Sequence, residues 1–205
     1  ELTAAGNRPV KGFSGGMRRR IDLAVPGILA LCVISAAFTS QAISTAFDRR
    51  YAVLRLLGTT PVGRDGLLWA KALATIGVEV VQWIALGVVG LALGWHPALA
   101  GFGPAVLFLL AGTWAFVALA LLLAGTLRAE GVLAVANLLW ILLLGLGGVI
   151  VPRSELPAGL AHVAAVLPSS ALADGLRAAF VDGRVAGLPL LLLVVWGAVA
   201  TLIAR

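Results

Sequence analysis

Glu79 and Gln82, three residues apart inside a long apolar run, are the side chains of this sequence best placed to do chemistry. On a helix that spacing sets them on neighbouring parts of one face. An ionisable group at the depth of a hydrocarbon core is costly, so the pair must face protein or water. Two readings stand: contact with a molecule or gate on a passage through the protein, or a hydrogen bond between helices. Asn137, in another apolar run, reads as a hydrogen bond between helices. Covalent chemistry finds little support. The sequence holds no H-E-x-x-H, its apolar runs hold no G-x-S-x-G, and Glu79 has no acidic partner at membrane depth. An intramembrane protease or lipid transferase would need a nucleophile–base pair, a metal set or paired carboxylates. His96 and His162 stand in connections far apart, without ligand spacing. Cys32 is the single cysteine, which excludes an intramolecular disulfide or a cysteine metal site and leaves a small packing residue.

The elements that carry these residues are five apolar runs, at 23–47, 67–93, 104–127, 132–151 and 188–204. Each approaches or exceeds the ~20 residues a helix needs to cross a core of ~30 Å. The chain is 61% hydrophobic and 12% charged, against roughly 45–50% and 25% in soluble domains. A β-barrel would alternate over segments of ~10 residues, and these runs are continuous. The sequence therefore predicts an all-α, polytopic helical membrane protein. It has five predicted transmembrane helices plus short amphipathic external and cytoplasmic helices. Residues 1–22 form a polar, basic N-terminal segment, and residues 23–205 one transmembrane domain. The net charge of +6 is spread over connections beside apolar spans, which speaks for topology rather than nucleic-acid binding.

Pro26 marks the expected start of the first span, being tolerated in the first turn of a helix. Asp48, Arg49 and Arg50 close that span. Val53, Leu54, Leu56 and Leu57 follow at helical spacing, predicting a short amphipathic helix before the turn Gly58-Thr59-Thr60-Pro61. The connection at 152–187 reads as two short helices, 157–167 stopped by Pro168 and 170–181 stopped by Gly183. Ser170 is the expected N-cap, and Leu172, Leu176 and Phe180 the apolar face of a helix that lies at the membrane interface or dips into it. Trp69, Trp95 and Trp196 fall near span ends and read as belt anchors. Counting basic residues gives seven on the side of the 48–71 connection and eight on the other, five of them ahead of Asp22. Without that leader the ratio is seven to three, which places the 48–71 connection in the cytoplasm.

The run Phe47-Asp48-Arg49-Arg50-Tyr51-Ala52-Val53-Leu54-Arg55-Leu56-Leu57-Gly58-Thr59-Thr60-Pro61-Val62-Gly63-Arg64 resembles the cytoplasmic segment of ABC type-2 exporter permeases. Leu67-Leu68-Trp69-Ala70-Lys71 resembles the opening of their next span. Pro26-Gly27-Ile28-Leu29-Ala30-Leu31 looks like the opening of the preceding one. Leu156-Pro157 and Leu167-Pro168, with Asp174 and Arg177, resemble their external helical pair. The likeness runs from Asp22 onward. It implies a permease subunit of an ATP-binding-cassette exporter that moves a drug-like, lipid or other amphipathic substrate across the plasma (inner) membrane. Six spans are usual in that family, so the resemblance implies that the family's first span is absent. It further implies a cytoplasmic ABC ATPase partner, a second permease copy (homo- or heterodimer) and surrounding lipid. ATP and Mg would be used by the ATPase, with no cofactor bound by this chain. Asp48, Arg49, Arg50, Arg55, Leu56, Leu57, Thr60, Pro61 and Arg64 would form the ATPase-coupling loop. Glu79, Gln82 and Asn137 are the candidates for a translocation path or dimer face. The alternatives are a non-transporting scaffold or truncated permease, and, with less support, an intramembrane enzyme.

Phe13-Ser14-Gly15-Gly16-Met17-Arg18-Arg19-Arg20-Ile21-Asp22-Leu23-Ala24 resembles the signature motif of drug-exporter ATPases, whose Ser and Gly groups contact the γ-phosphate of ATP. Such a motif acts only with a Walker A loop, G-x-x-x-x-G-K-[ST]. Neither lysine of the chain, Lys11 or Lys71, stands in that frame. ATPase activity in this chain is excluded on that ground. The segment is either a fusion remnant or a chance likeness.

Overall fold

A computed structural model describes residues 15–53, 63–149, 153 and 156–204. The first rod is built of α1 (Gly15–Val33), a π-helical segment (Ile34–Ser40) and α2 (Gln41–Arg50), continuous with one another. After the connection come α3 (Gly63–Ala92), a 3-10 turn (Leu99–Gly101), α4 (Phe102–Thr126) and α5 (Ala129–Leu146). Then follow α6 (Ala158–Val166), α7 (Pro168–Asp182) and α8 (Gly187–Ala204). Among the described residues every regular element is helical, as an apolar chain must be when lipid offers its backbone no hydrogen bonds. Five stretches are long and apolar enough to cross a membrane: Arg19–Arg50, Ala70–Ala92, Leu99–Thr126, Ala129–Leu146 and Gly187–Ala204.

The centre of the bundle is α4, which packs against α8, α7, α2 and the π-helical segment. Phe108 and Phe116 of α4, Ile34, Leu172, Leu176 and Leu193 are fully buried around it. By contrast, α3 lies at the edge, against α1, with Leu73, Val78, Val81, Ile84 and Val88 turned outward.

Four local expectations need correction. The first span does not start at Pro26: the helix begins at Gly15 and Pro26 lies inside it. Proline removes one rung of the helical ladder. Arg177 Nε approaches the Leu23 carbonyl at 3.4 Å, supplying a donor beside that gap. Ser170 is not the N-cap of α7. The helix starts with Pro168 at its first position and Leu167 as N-cap, because proline's fixed φ suits that position. Nor is the face of Leu172, Leu176 and Phe180 the only buried one on α7. The helix turns 91° from α6 and drives into the bundle, buried on nearly every side against α1, α4 and α8. Small residues allow this, for a Cβ on Gly175 would overlap the Phe108 ring. Trp95 is likewise a core residue, 4% exposed and edge-on to Phe180 at 5.1 Å, rather than a belt anchor.

The predicted amphipathic helix after Arg50 falls mostly on residues outside those described. Tyr51 and Ala52 form a turn ahead of it, with Ala52 at φ 58°, and Val53, the first of its apolar residues, is helical.

Candidate functional site: a polar seam and an arginine clamp

The inward face of α3 carries Lys71, Thr75, Glu79 and Gln82 in steps of three or four residues, so one stripe of an otherwise apolar helix is polar. That stripe lies along α1, the π-helical segment and α2, and the contacts form a ladder. At its foot Lys71 Nζ pairs with Asp48 Oδ2 at 2.6 Å and donates to Thr45 Oγ1 at 3.2 Å. One turn higher, Gln41 Nε2 donates to Thr75 Oγ1, whose own proton goes to the Lys71 carbonyl at 2.9 Å. Another turn up, Thr113 Oγ1 of α4 donates to Glu79 Oε2 at 2.7 Å in a buried setting. Glu79 is 5% exposed.

The ladder is incomplete at the top. Glu79 Oε1, Gln82 Oε1, Trp83 Nε1 and Thr39 Oγ1 are buried without a partner among the described residues. Buried polar atoms are usually paired, and an unpaired one costs about 1–3 kcal/mol. Thr39 belongs to the π-helical segment, which packs on both α3 and α4. Segments of this kind interrupt the regular ladder and occur often at functional sites.

A second constellation closes the end of the rod. Arg49 Nη1 donates to the Gly125 carbonyl at 2.6 Å, and its Nη2 to the Leu127 carbonyl. These are the free carbonyls at the C-terminus of α4, where a cation is favoured by both hydrogen bonding and the helix dipole. Arg50 pairs with Glu130 in the first turn of α5 and lies over the Tyr51 ring at 5.8 Å. The two arginines therefore lock the root of the following connection to the α4–α5 turn.

A third anchor holds α7. Arg177, 6% exposed, donates from Nη1 to the Gly148 carbonyl and from Nη2 to the Val149 carbonyl, each at 2.7 Å. It also pairs with Asp174 at 3.3 Å, and Asp174 faces Arg153 at 3.6 Å.

Of the candidate residues, Asp48, Arg49 and Arg50 thus meet partners at one end, and Glu79 and Gln82 share a buried face. Arg55, Leu56, Leu57, Thr60 and Pro61 lie outside the described residues, and only the backbone of Arg64, in the first turn of α3, is described. Asn137 is not joined to Glu79. It is exposed on α5, and its Nδ2 donates to the Leu133 carbonyl of its own helix at 2.8 Å, so the expected bond between helices is not made within the chain. Thr113, Thr75, Gln41 and Glu130 complete the two constellations without any sequence signal beyond their polarity. Among the described residues no group of His, Cys, Asp or Glu could hold a metal ion.

The sequence model of the ABC-2 family transporter protein matches residues 11–205. The chain belongs to that family. No curated protein and no solved structure matched it. As an ABC-2 protein it is a transmembrane transporter subunit, a transport component rather than a catalyst. The match begins ahead of Gly15, and the signature-like residues from Gly15 onward are the opening turns of α1.

Proposed function

We propose that this ABC-2 protein is the permease of an exporter that moves a drug-like, lipid or other amphipathic substrate across the plasma membrane. ATP and Mg are used by a separate ABC ATPase docked on the cytoplasmic connection between α2 and α3. The observation that carries the reading is the arginine clamp. A subunit without a nucleotide site must receive force from outside itself, and the root of that connection is tied to two other helices. A push on the connection would pass through Arg49 to the end of α4, the centre of the bundle. Through Arg50 it would reach α5, and through Asp48–Lys71 it would reach α3. Three elements would then tilt together, and packed helices shift between discrete arrangements rather than bending continuously.

The second copy is assigned to the exposed face of α5. Asn137 lies within the span Ala129–Leu146 with its amide only partly used. A polar side chain at that depth is stabilised by a partner helix rather than by lipid.

The test is co-expression with the ABC ATPase encoded beside its gene. The account expects a stable membrane complex whose ATP hydrolysis changes when amphipathic compounds are added. If no ATPase co-purifies with the full-length product, the transporter reading fails and a non-transporting scaffold takes its place.

A further inference from the structure

We infer that the unfinished top of the polar ladder, at Glu79, is a binding site for the ammonium group of an amphiphile. The inference rests on the export reading only for what happens after binding. Four observations converge on it. Glu79 is buried, yet only one of its carboxylate oxygens is satisfied, by Thr113. Gln82, one turn further on the same face, leaves a second buried oxygen without a donor. Among the described residues no basic side chain pairs with Glu79, and the cation on its own helix, Lys71, is committed to Asp48 two turns away.

Two adjacent acceptors, one of them a carboxylate, call for a ligand with several N–H donors and a positive charge. A primary ammonium has three such donors. Trp83, the next inward aromatic on α3, offers its ring for a cation–π contact. An anionic group would instead meet a carboxylate and the Gln82 amide oxygen, and a purely apolar group would leave every orphan atom unpaired.

The same geometry suits an amphiphile. The site lies midway along a helix whose outer faces are apolar and exposed, so a hydrocarbon tail can remain in lipid while its head enters between α3 and the rod. Below the site, the Gln41–Thr75 bond and the Lys71–Asp48 pair continue the polar stripe from Glu79 toward the start of α3.

The full chain in phosphatidylcholine nanodiscs, without any ATPase, tests this. The probes share one fluorescent alkyl chain and end in a primary ammonium, its N-acetyl amide or a sulfonate. Anisotropy should show saturable binding of the ammonium probe, at least tenfold tighter than either relative. Glu79→Gln should weaken that probe about tenfold and leave the amide unchanged. Gln82→Leu and Thr113→Val, which keep the carboxylate, should each weaken it by a smaller factor. They serve as the second test should Glu79→Gln not fold. Adding phosphatidylethanolamine decides the natural source: competition assigns the site to a lipid ammonium, and no competition to a free amphiphile. Equal affinity for ammonium and amide, preference for the sulfonate, or insensitivity to all three variants overturns the inference. ATPase stimulation by non-cationic amphiphiles with no ammonium binding would sink this site alone. Ammonium binding with no ATPase partner would sink the export reading alone.

Discussion

Removing Arg177 should loosen α7 from the bundle, and its hydrogen bonds set the size of the effect. Two bonds of 2.7 Å run from its guanidinium to the Gly148 and Val149 carbonyls, and the side chain is 7% exposed, so solvent screening is slight. Hydrogen bonds to charged groups contribute about 1.5–3 kcal/mol each in soluble proteins. Polar contacts inside membranes measure lower, about 0.6 kcal/mol on average, because the unfolded chain in lipid also finds partners. Arg177→Ala strips donors from two buried carbonyls and leaves Asp174 with Arg153, 3.6 Å away, and a long bond from the Ser170 hydroxyl at 3.5 Å. A loss of about 3 kcal/mol is the balance of these terms, at the lower end of the ~3–5 kcal/mol for breaking a buried ion pair. For a chain of 205 residues that is a Tm lower by about 6–12 °C. Arg177→Lys keeps the charge but not the planar fork that reaches both carbonyls, so it should recover only about half. The assay is thermal unfolding in detergent, with amide exchange of Pro168–Asp182 as the local readout. A shift below about 2 °C for the alanine variant, or a lysine variant as stable as the parent, would refute the anchoring role.

Further outcomes follow from the same packing. Gly175→Val should cost about 1–3 kcal/mol, since its side chain would enter the Phe108 ring, while Gly159→Ala, with nothing within 4 Å of its added Cβ, should be neutral. Lys71→Met should destabilise by about 1 kcal/mol, because Asp48 is a third exposed and screened in part, and the exchange Asp48→Lys with Lys71→Asp should restore most of it in a double-mutant cycle. Asn137→Cys should cross-link to a second copy under mild oxidation in membranes, whereas Val88→Cys on the outer face of α3 should not; the reverse pattern would move the dimer face to α3.

The spans were legible because lipid selects one strong signal, a continuous apolar run, and all five runs became helices within a few residues of their expected limits. Their ends were less so. Pro26 looks like a start, yet the helix runs through it, and Arg177, 151 positions later in the chain, packs on that turn by donating to the Leu23 carbonyl. The burial of α7 was hidden for a similar reason. Leu172, Leu176 and Phe180 gave an amphipathic pattern, but the opposite face is made of Ala171, Ala178 and Gly175, small residues that serve close packing as well as exposure. Glu79 stood out by charge alone. Its partner Thr113 did not, being one hydroxyl in an unbroken apolar span. The clamp was half visible: Arg49 and Arg50 are conspicuous, but Arg49 binds backbone carbonyls, and those leave no mark in a sequence.

The central claim is that motion of a partner ATPase enters the bundle through the Arg49 clamp. Its most direct measurement is the number of substrate molecules exported per ATP by the reconstituted complex carrying Arg49→Gln. Glutamine keeps some polarity but cannot hold both α4 carbonyls. The account predicts that the complex still forms and hydrolyses ATP at a rate within about twofold of the parent, while export per ATP falls about tenfold. Export per ATP equal to the parent's would contradict it.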